Sequence, residues 1–192
     1  MNRSTLVLFI SLLLIALISA YWFFDTQQIT EPSFTHTKEE EPDFFMEKVN
    51  SVQFNETGDA RYRLRAQQLS HYPDTDISEL TFPFLIIYRA GEPPWHINAD
   101  YGKVLPSSKS DGEIIELYTN VIVHRELEDG NTVTLNTEKL IVKPDQEYAE
   151  TDIAVKISSG PSKVNSVGMK AFFAEDRIEF LSKVRGLHVP IQ

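Results

Sequence analysis

The stretch Tyr62-Arg63-Leu64-Arg65-Ala66 alternates apolar side chains with arginines, a period of two that is typical of a β-strand with one dry and one wet face. A similar unit follows at Trp95-His96-Ile97-Asn98-Ala99, and looser versions begin at Val133 and Val164. The small residues that close these units, at positions 66, 99, 137 and 168, are 33, 38 and 31 residues apart. Such spacing indicates one supersecondary unit that is repeated along the chain.

The second half of each unit is an apolar strand that is interrupted by a turn residue. The interruptions fall at Pro83, Asn120, Asp152 and Lys183, which are 37, 32 and 31 residues apart. Pro83 predicts an edge position or a bulge, because proline cannot donate to the hydrogen-bond ladder of a sheet.

The fold class follows from these patterns together with the absence of any helical period after residue 43. We predict an all-β, antiparallel domain of ten or eleven strands. Because the hairpins look alike, they are expected to stack into an open sandwich or jellyroll whose dry faces line an apolar slot. The predicted strands are 61–66, 80–88, 95–101, 113–118, 121–127, 132–137, 140–142, 149–157, 164–173, 178–181 and 184–189.

The N-terminal segment is different in kind. Residues 5–24 contain no ionisable side chain, and as a helix they would span about 30 Å, the thickness of a bilayer core. Arg3 precedes the segment and Asp25 follows it, so the positive-inside rule places residues 1–4 in the cytoplasm. A cleaved signal peptide is the alternative. The acidic stretch 25–45 is interpreted as a linker, and residues 46–192 as the folded domain.

Composition excludes several function classes. The chain has no cysteine, which rules out disulfides, thiolate metal sites and thiol nucleophiles. After residue 24 there are 17 basic and 28 acidic residues, a net charge of −11, which disfavours binding to nucleic acid. The five histidines fit no zinc-site spacing, and neither a G-x-S-x-G elbow nor a Gly-rich phosphate loop is present. We therefore expect no metal, no cofactor and no catalytic residue.

Three motifs, in this order and behind an N-terminal helix, resemble the LptC family of lipopolysaccharide transport proteins. They are Tyr62-Arg63-Leu64-Arg65-Ala66-Gln67, Trp95-His96-Ile97-Asn98-Ala99-Asp100 and Leu117-Tyr118-Thr119-Asn120-Val121-Ile122-Val123. In the family the third motif usually has glycine where this chain has Asn120, a residue that tolerates the left-handed conformation.

The resemblance implies an inner-membrane, single-pass protein of Gram-negative bacteria with a periplasmic, OstA-like β-jellyroll. It also implies that the protein receives lipopolysaccharide from the ABC transporter LptB2FG and passes it to the periplasmic protein LptA. ATP hydrolysis would occur in the transporter, and the chain itself would have no enzymatic activity. Positions that contact lipid in the family align with Val49, Leu80, Ile178 and His188.

The dry faces of the predicted strands supply further candidate contacts for the acyl chains of lipid A. For each of them the alternative is a place in an ordinary packed core. The predicted lipid-binding residues are Val49, Tyr62, Leu64, Leu80, Phe82, Phe84, Ile86, Ile97, Leu117, Val121, Val123, Ile178 and His188, with Trp95, Leu135 and Ile153 as additional lining residues.

A jellyroll that is not closed leaves free strand edges, and such edges can pair with a neighbouring protein. We predict that Val52 and Phe54, near the first edge, meet the transporter. Residues near the last edge would meet LptA, namely Ile178, Phe180, Val184 and Leu187. Two alternatives stay open: an anchored adhesion or scaffold module without lipid cargo, and a polysaccharide-processing enzyme with inward-facing carboxylates.

Overall fold

The computed structural model describes residues 41–108, 112–127 and 130–188. In these ranges the chain forms eleven β-strands and two short 3-10 turns, at Pro144–Gln146 and Phe173–Glu175. The strands are β1 (Phe44–Phe54), β2 (Ala60–Tyr72), β3 (Ile77–Thr81), β4 (Phe84–Arg89), β5 (Glu92–Asn98), β6 (Tyr101–Ser108), β7 (Gly112–Glu126), β8 (Thr132–Lys143), β9 (Tyr148–Ser159), β10 (Ser162–Phe172) and β11 (Arg177–Leu187). The predicted all-β class is confirmed.

Every strand pair is antiparallel, which confirms the predicted antiparallel pairing. The order is β11-β10-β9-β8-β7-β5-β4-β2-β3-β6, with β6 returning to β7 and β1 pairing with β2. Two long strands, β2 and β7, each pair with two shorter strands in succession. One part of β2 pairs with β4 and the next part with β3, while β7 pairs first with β6 and then with β5.

This sharing divides the sheet into two half-sheets that are joined by the long strands. We call them the β3–β6 half-sheet and the β4–β5 half-sheet, each including the parts of the long strands that lie beside it. Buried residues of both half-sheets belong to one apolar cluster, so the two half-sheets face each other across a common core.

The strands change direction at residues with left-handed backbone. Lys48 in β1, Phe82 between β3 and β4, Asn120 in β7 and Lys183 in β11 have φ angles of 53°, 48°, 53° and 50°. The β7–β8 register shifts across Asn120, as expected for a β-bulge, which bends and twists a strand. The predicted interruptions at Asn120 and Lys183 therefore coincide with bulges.

Pro83 was predicted to mark an edge or a bulge, and it follows the left-handed Phe82 directly. The proline side chain is fully buried, and the carbonyl oxygen of Pro83 accepts a hydrogen bond from the Ala99 amide. Asp152 does not have left-handed backbone, but β8 and β9 change register nearby, between Thr137 and Ile141.

One predicted face is wrong. Simple alternation placed Phe82, Phe84 and Ile86 on the dry face, but the structure turns Leu85 and Ile87 into the core cluster instead, and Ile86, although only 8% exposed, lies outside that cluster. The left-handed residue at 82 is the physical reason, because it shifts the alternation of the following strand by one position. Phe82 itself is 57% exposed.

The N-terminal segments are largely outside the described residues. Residues 1–4, the predicted membrane helix at 5–24 and most of the predicted linker lie there. Within the described ranges, none of the helical segments is long and apolar enough to cross a bilayer. The domain begins slightly earlier than predicted, since Phe44 is already the first residue of β1.

Replacing Asn120 tests whether the left-handed bulge in β7 is required. We expect Asn120→Val to be about 1–2 kcal/mol less stable to urea than Asn120→Gly, because a β-branched residue is disfavoured in this backbone region. Both variants lose the hydrogen bond that the side-chain Nδ2 of Asn120 donates to Asp100, so that loss cancels in the comparison. Equal urea midpoints and slopes for the two variants would contradict this role of the bulge.

Candidate lipid-binding site

A cavity of about 300 Å³ lies between the two half-sheets, toward the C-terminal strands. Its volume is at the lower end of the range for small-molecule sites, roughly 300–1,000 Å³. Most of the wall is apolar, and only Arg125, Asp176 and Arg177 carry charge. The apolar lining residues are Trp95, Val123, Leu127, Val133, Leu135, Leu140, Ala149, Met169, Ala171, Phe172, Phe173 and Ile178.

Two small residues explain why the interior is hollow here. Ala149 on β9 and Ala171 on β10 are direct cross-strand partners, and both are buried. Where the same interior continues toward β3 and β6, it carries larger buried side chains such as Leu80 and Ile115. A pair of methyl groups cannot fill the volume that two leucines would occupy, so a cavity remains.

Charged residues connect the half-sheets beside the cavity. Arg125 of β7 donates from Nη1 to Asp176 Oδ1 and from Nη2 to Glu92 Oε2, both at 2.6 Å. Arg89 of β4 donates to the same two carboxylates, at 3.2 Å and 2.7 Å. We call Arg89, Glu92, Arg125 and Asp176 the rim network. It joins the β4–β5 half-sheet to the turn that precedes β11.

Two further polar contacts, at the start of β2, close the same side of the fold as the rim network. Arg61 on β2 forms an ion pair with Asp145 at 2.6 Å, and the hydroxyl of Tyr62 donates to Glu113. Burial, together with the Glu113 carboxylate, raises the pKa of Tyr62, so the phenol stays protonated. Arg61, on the wet face of this strand, is thus ion-paired.

The electrostatics of Asp176 reflect competing effects. Burial opposes ionisation of its carboxyl group, but the hydrogen bonds and positive charges of Arg125 and Arg89 outweigh it and lower its pKa. The carboxylate form, which holds the rim network together, is therefore favoured in the folded protein.

The structure separates the predicted lipid-binding residues into groups. Val123 and Ile178 line the cavity, as do the additional candidates Trp95 and Leu135. Six others are buried in the packed core and do not line it. These are Tyr62, Leu64, Leu80, Ile97, Leu117 and Val121.

The remaining predicted contacts lie elsewhere. Val49 is half-buried against the core, and Phe84 stacks on His96 on the opposite face of the sheet. His188 is exposed beyond the end of β11, where its Nδ1 lies 3.0 Å from the hydroxyl of Ser162. Ile153 is half-buried on β9 and is not part of the cavity wall.

No local sequence pattern predicts the rim network. Its members are far apart in the chain, since Arg89 and Asp176 are separated by 87 positions. One feature of the sequence does point to this network. Val121, Val123 and Arg125 follow the inward period of two, which places a charged side chain on a dry face.

The first and last strands are free on one side. Among the described strands, β1 pairs only with β2 and β11 only with β10. Phe54 is 58% exposed near the first edge, and Val184 and Leu187 are exposed on the last. The other predicted partner residues, Val52, Ile178 and Phe180, are half-buried.

A histidine pair lies on the outer face of the sheet. His96 and His124 are cross-strand partners whose rings stack at 4.8 Å. Burial, followed by the neighbouring His124, lowers the pKa of His96. In the described part of the chain, no group of three or more histidines and carboxylates is arranged to hold a metal ion.

Comparison with known proteins gives a consistent result. The sequence matches the family model "LptC: Lipopolysaccharide-assembly, LptC-related" over residues 9–189. It is 22% identical over 146 residues to the lipopolysaccharide export system proteins LptC of Escherichia coli K12 and of Shigella flexneri, covering 76% of this chain and 74% of each relative.

The fold is similar to that of a solved structure. The crystal structure of LptH, described as the LptA-homologous periplasmic component of the lipopolysaccharide transport device of Pseudomonas aeruginosa, superposes with a TM-score of 0.53 at 5% identity. The match covers 67% of this chain and 95% of LptH.

The pH dependence of stability tests the rim network. Asp176 has a folded-state pKa below its ordinary value of 3.8, so its stabilising effect is complete above that pH and is lost as the pH falls through the folded-state pKa. We expect Asp176→Asn to unfold about 1 kcal/mol more easily than the wild type at pH 7. The difference should shrink below pH 3.8 in paired urea titrations. A difference that stays constant down to pH 2 would show that the carboxylate charge is not what stabilises this contact.

Proposed function

The chain belongs to the LptC-related family of lipopolysaccharide-assembly proteins, and on this premise we propose that its β-domain carries lipopolysaccharide between two partners. The family match confirms the resemblance drawn from the three motifs. In the proposed route, the protein accepts lipopolysaccharide from LptB2FG and passes it to LptA, without enzymatic activity of its own.

The observation that supports this proposal is the apolar cavity between the half-sheets. Moving an acyl chain of about a dozen carbons into water costs close to 10 kcal/mol, at about 0.8 kcal/mol for each methylene. A carrier must therefore replace water around the chain with apolar side chains. Leu135, Met169 and Ile178 offer such a surface inside the domain.

The cavity is too small for a lipid with several acyl chains. Its volume of about 300 Å³ is only about twice that of the ~150 Å³ engineered cavity that holds one benzene. We therefore propose that the half-sheets separate when cargo enters, with the long strands acting as the hinge. The rim network must then break, since Arg125 and Asp176 belong to opposite sides of the opening.

The proposed direction of transfer follows from the two free edges. The edge at β1 would add to a sheet of the transporter, and the edge at β11 would add to LptA. Joined in this way, the interiors of successive domains would form a continuous apolar path. In this proposal the domain is an open β-jellyroll.

The proposed location follows from the sequence. Residues 5–24 would cross the inner membrane once, with residues 1–4 in the cytoplasm and the β-domain in the periplasm. Asp25 and the acidic stretch after it would then form the tether to β1. This arrangement holds the domain next to a transporter in the same membrane.

The alternative of an adhesion or scaffold module predicts a filled interior. The part of the domain near Leu80 and Leu117 is filled in this way. A cavity lined by Leu135 and Met169 has no use in a rigid stalk, because an unfilled core lowers stability. The cavity therefore favours the transport role.

Photo-crosslinking tests the cargo. A photoreactive residue at Ile178 should crosslink to lipopolysaccharide in cells, because this side chain lines the cavity. The same probe at Asn136, exposed on the outer face of β8, is the matched control and should give no adduct above background. An adduct at the buried Leu80 would show in addition that the filled part of the domain opens. Equal yields at 178 and 136 would remove the support for a lipid path through the interior.

Edge substitutions test the two partners separately. Val184→Arg should weaken capture of LptA by about tenfold, a loss of roughly 1.4 kcal/mol, while capture of LptB2FG is unchanged. Phe54→Arg should show the opposite pattern. Since Val184 is 52% exposed and Phe54 58% exposed, neither change should alter the melting temperature. If both variants affect both partners alike, the assignment of one edge to each partner is wrong.

A further inference from the structure

Two buried hydrogen-bond donors in the cavity wall have no partner. Within the described part of the chain, neither Arg125 Nε nor Trp95 Nε1 forms a hydrogen bond. The two residues are only 7% and 8% exposed, and both line the apolar cavity. Buried donors in native proteins nearly always find an acceptor, so these two indicate that an oxygen occupies the site in some working state.

The two donors belong to one local structure. Arg125 Cζ lies 5.1 Å from the centre of the Trp95 ring, so the guanidinium and the indole are stacked neighbours. The other nitrogens of Arg125 are already bonded, Nη1 to Asp176 and Nη2 to Glu92. Nε is therefore the one guanidinium nitrogen of Arg125 that forms no hydrogen bond within the described part of the chain.

The surroundings suggest the chemistry of that ligand. The rest of the wall is apolar, which suits an acyl chain but offers nothing to bond a polar group. A guanidinium remains charged at any physiological pH and prefers phosphate or carboxylate oxygens. Arg177 also lines the cavity and forms ion pairs with Glu175 and Glu179, while Arg125 is paired with Asp176 and Glu92.

We propose that Arg125 and Trp95 form a subsite for the phosphate of an acylated lipid, whose chain lies in the apolar part of the cavity. The inference rests on the proposed function and makes it more specific, because it assigns the phosphate groups of the cargo to two residues.

The test uses the full chain in nanodiscs, with the photoreactive residue at position 178 and added lipopolysaccharide. Trp95→Phe keeps an aromatic ring but removes the Nε1 donor together with the second ring of the indole, and we expect the adduct yield to fall about fivefold. Arg125→Lys keeps the positive charge but removes Nε and also the Nη bonds to Asp176 and Glu92, and a similar loss is expected. Lipopolysaccharide with its lipid A phosphates removed should bind the wild type as weakly as intact lipid binds Trp95→Phe.

Two controls separate binding from folding. Tyr118→Phe removes an aromatic polar group outside the cavity, and its adduct yield should equal that of the wild type. Trp95→Phe removes buried ring atoms that pack against Phe173 and Arg125, so its melting temperature without lipid is expected to fall, and its adduct yield is compared with that of the wild type at a temperature at which both proteins are folded.

The outcomes are distinguishable. If wild-type adducts form but depend on neither Trp95 nor the lipid phosphates, the subsite proposal is overturned and the transport proposal stands, with ordered water as the partner of both donors. If the wild type gives no adduct at 178, the proposed function fails and the subsite falls with it. An adduct to bilayer phospholipid that is sensitive to Trp95→Phe supports the phosphate site and assigns it to phospholipid.

Discussion

The bend at the middle of the long strands is the constraint on which the rest of the structure depends. An antiparallel ladder alone would give one extended sheet with its apolar face in water. Left-handed residues such as Phe82, Asn120 and Lys183 interrupt the ladder at similar positions in successive strands, so the two parts of each strand turn toward each other. Burial of apolar side chains between the half-sheets then stabilises the bend, and the cavity exists because the half-sheets face one another.

The side chains that fill the interior of the domain differ between its two ends. Toward β3 and β6 the inward positions carry leucine and isoleucine, which are almost completely buried. Toward β9 and β10 the pair Ala149 and Ala171 leaves space, and charged rather than apolar contacts join the half-sheets at the rim. Ionic contacts that are partly exposed are easier to exchange with water than a packed core is. The part of the domain that holds the cavity is therefore also the part whose closure is least tightly held.

Local patterns in the sequence were enough for the fold class but not for the site. Alternation at Tyr62 and Leu64 identified inward positions correctly, because side-chain direction in a regular strand depends only on parity. The same rule failed at Phe84 and Ile86. The left-handed residue Phe82 shifts by one position which side chains of the next strand point inward, and alternation of apolar and polar residues does not predict such a backbone conformation. The rim network could not be predicted, since it joins residues that only the folded sheet brings together. Arg125 was the exception, an arginine at an inward position.

The two unpaired edges have a consequence for assembly. A closed barrel consumes all of its backbone donors and acceptors, whereas among the strands that the structure describes, β1 and β11 each have one side that pairs with no other strand. Because the two edges differ, contacts between them are heterologous, and such contacts do not close into a symmetric dimer. Contacts of this kind do not by themselves limit how many domains join edge to edge. The number of domains in a filament built on this principle is set by the supply of each component and by edge specificity, not by the geometry of the domain.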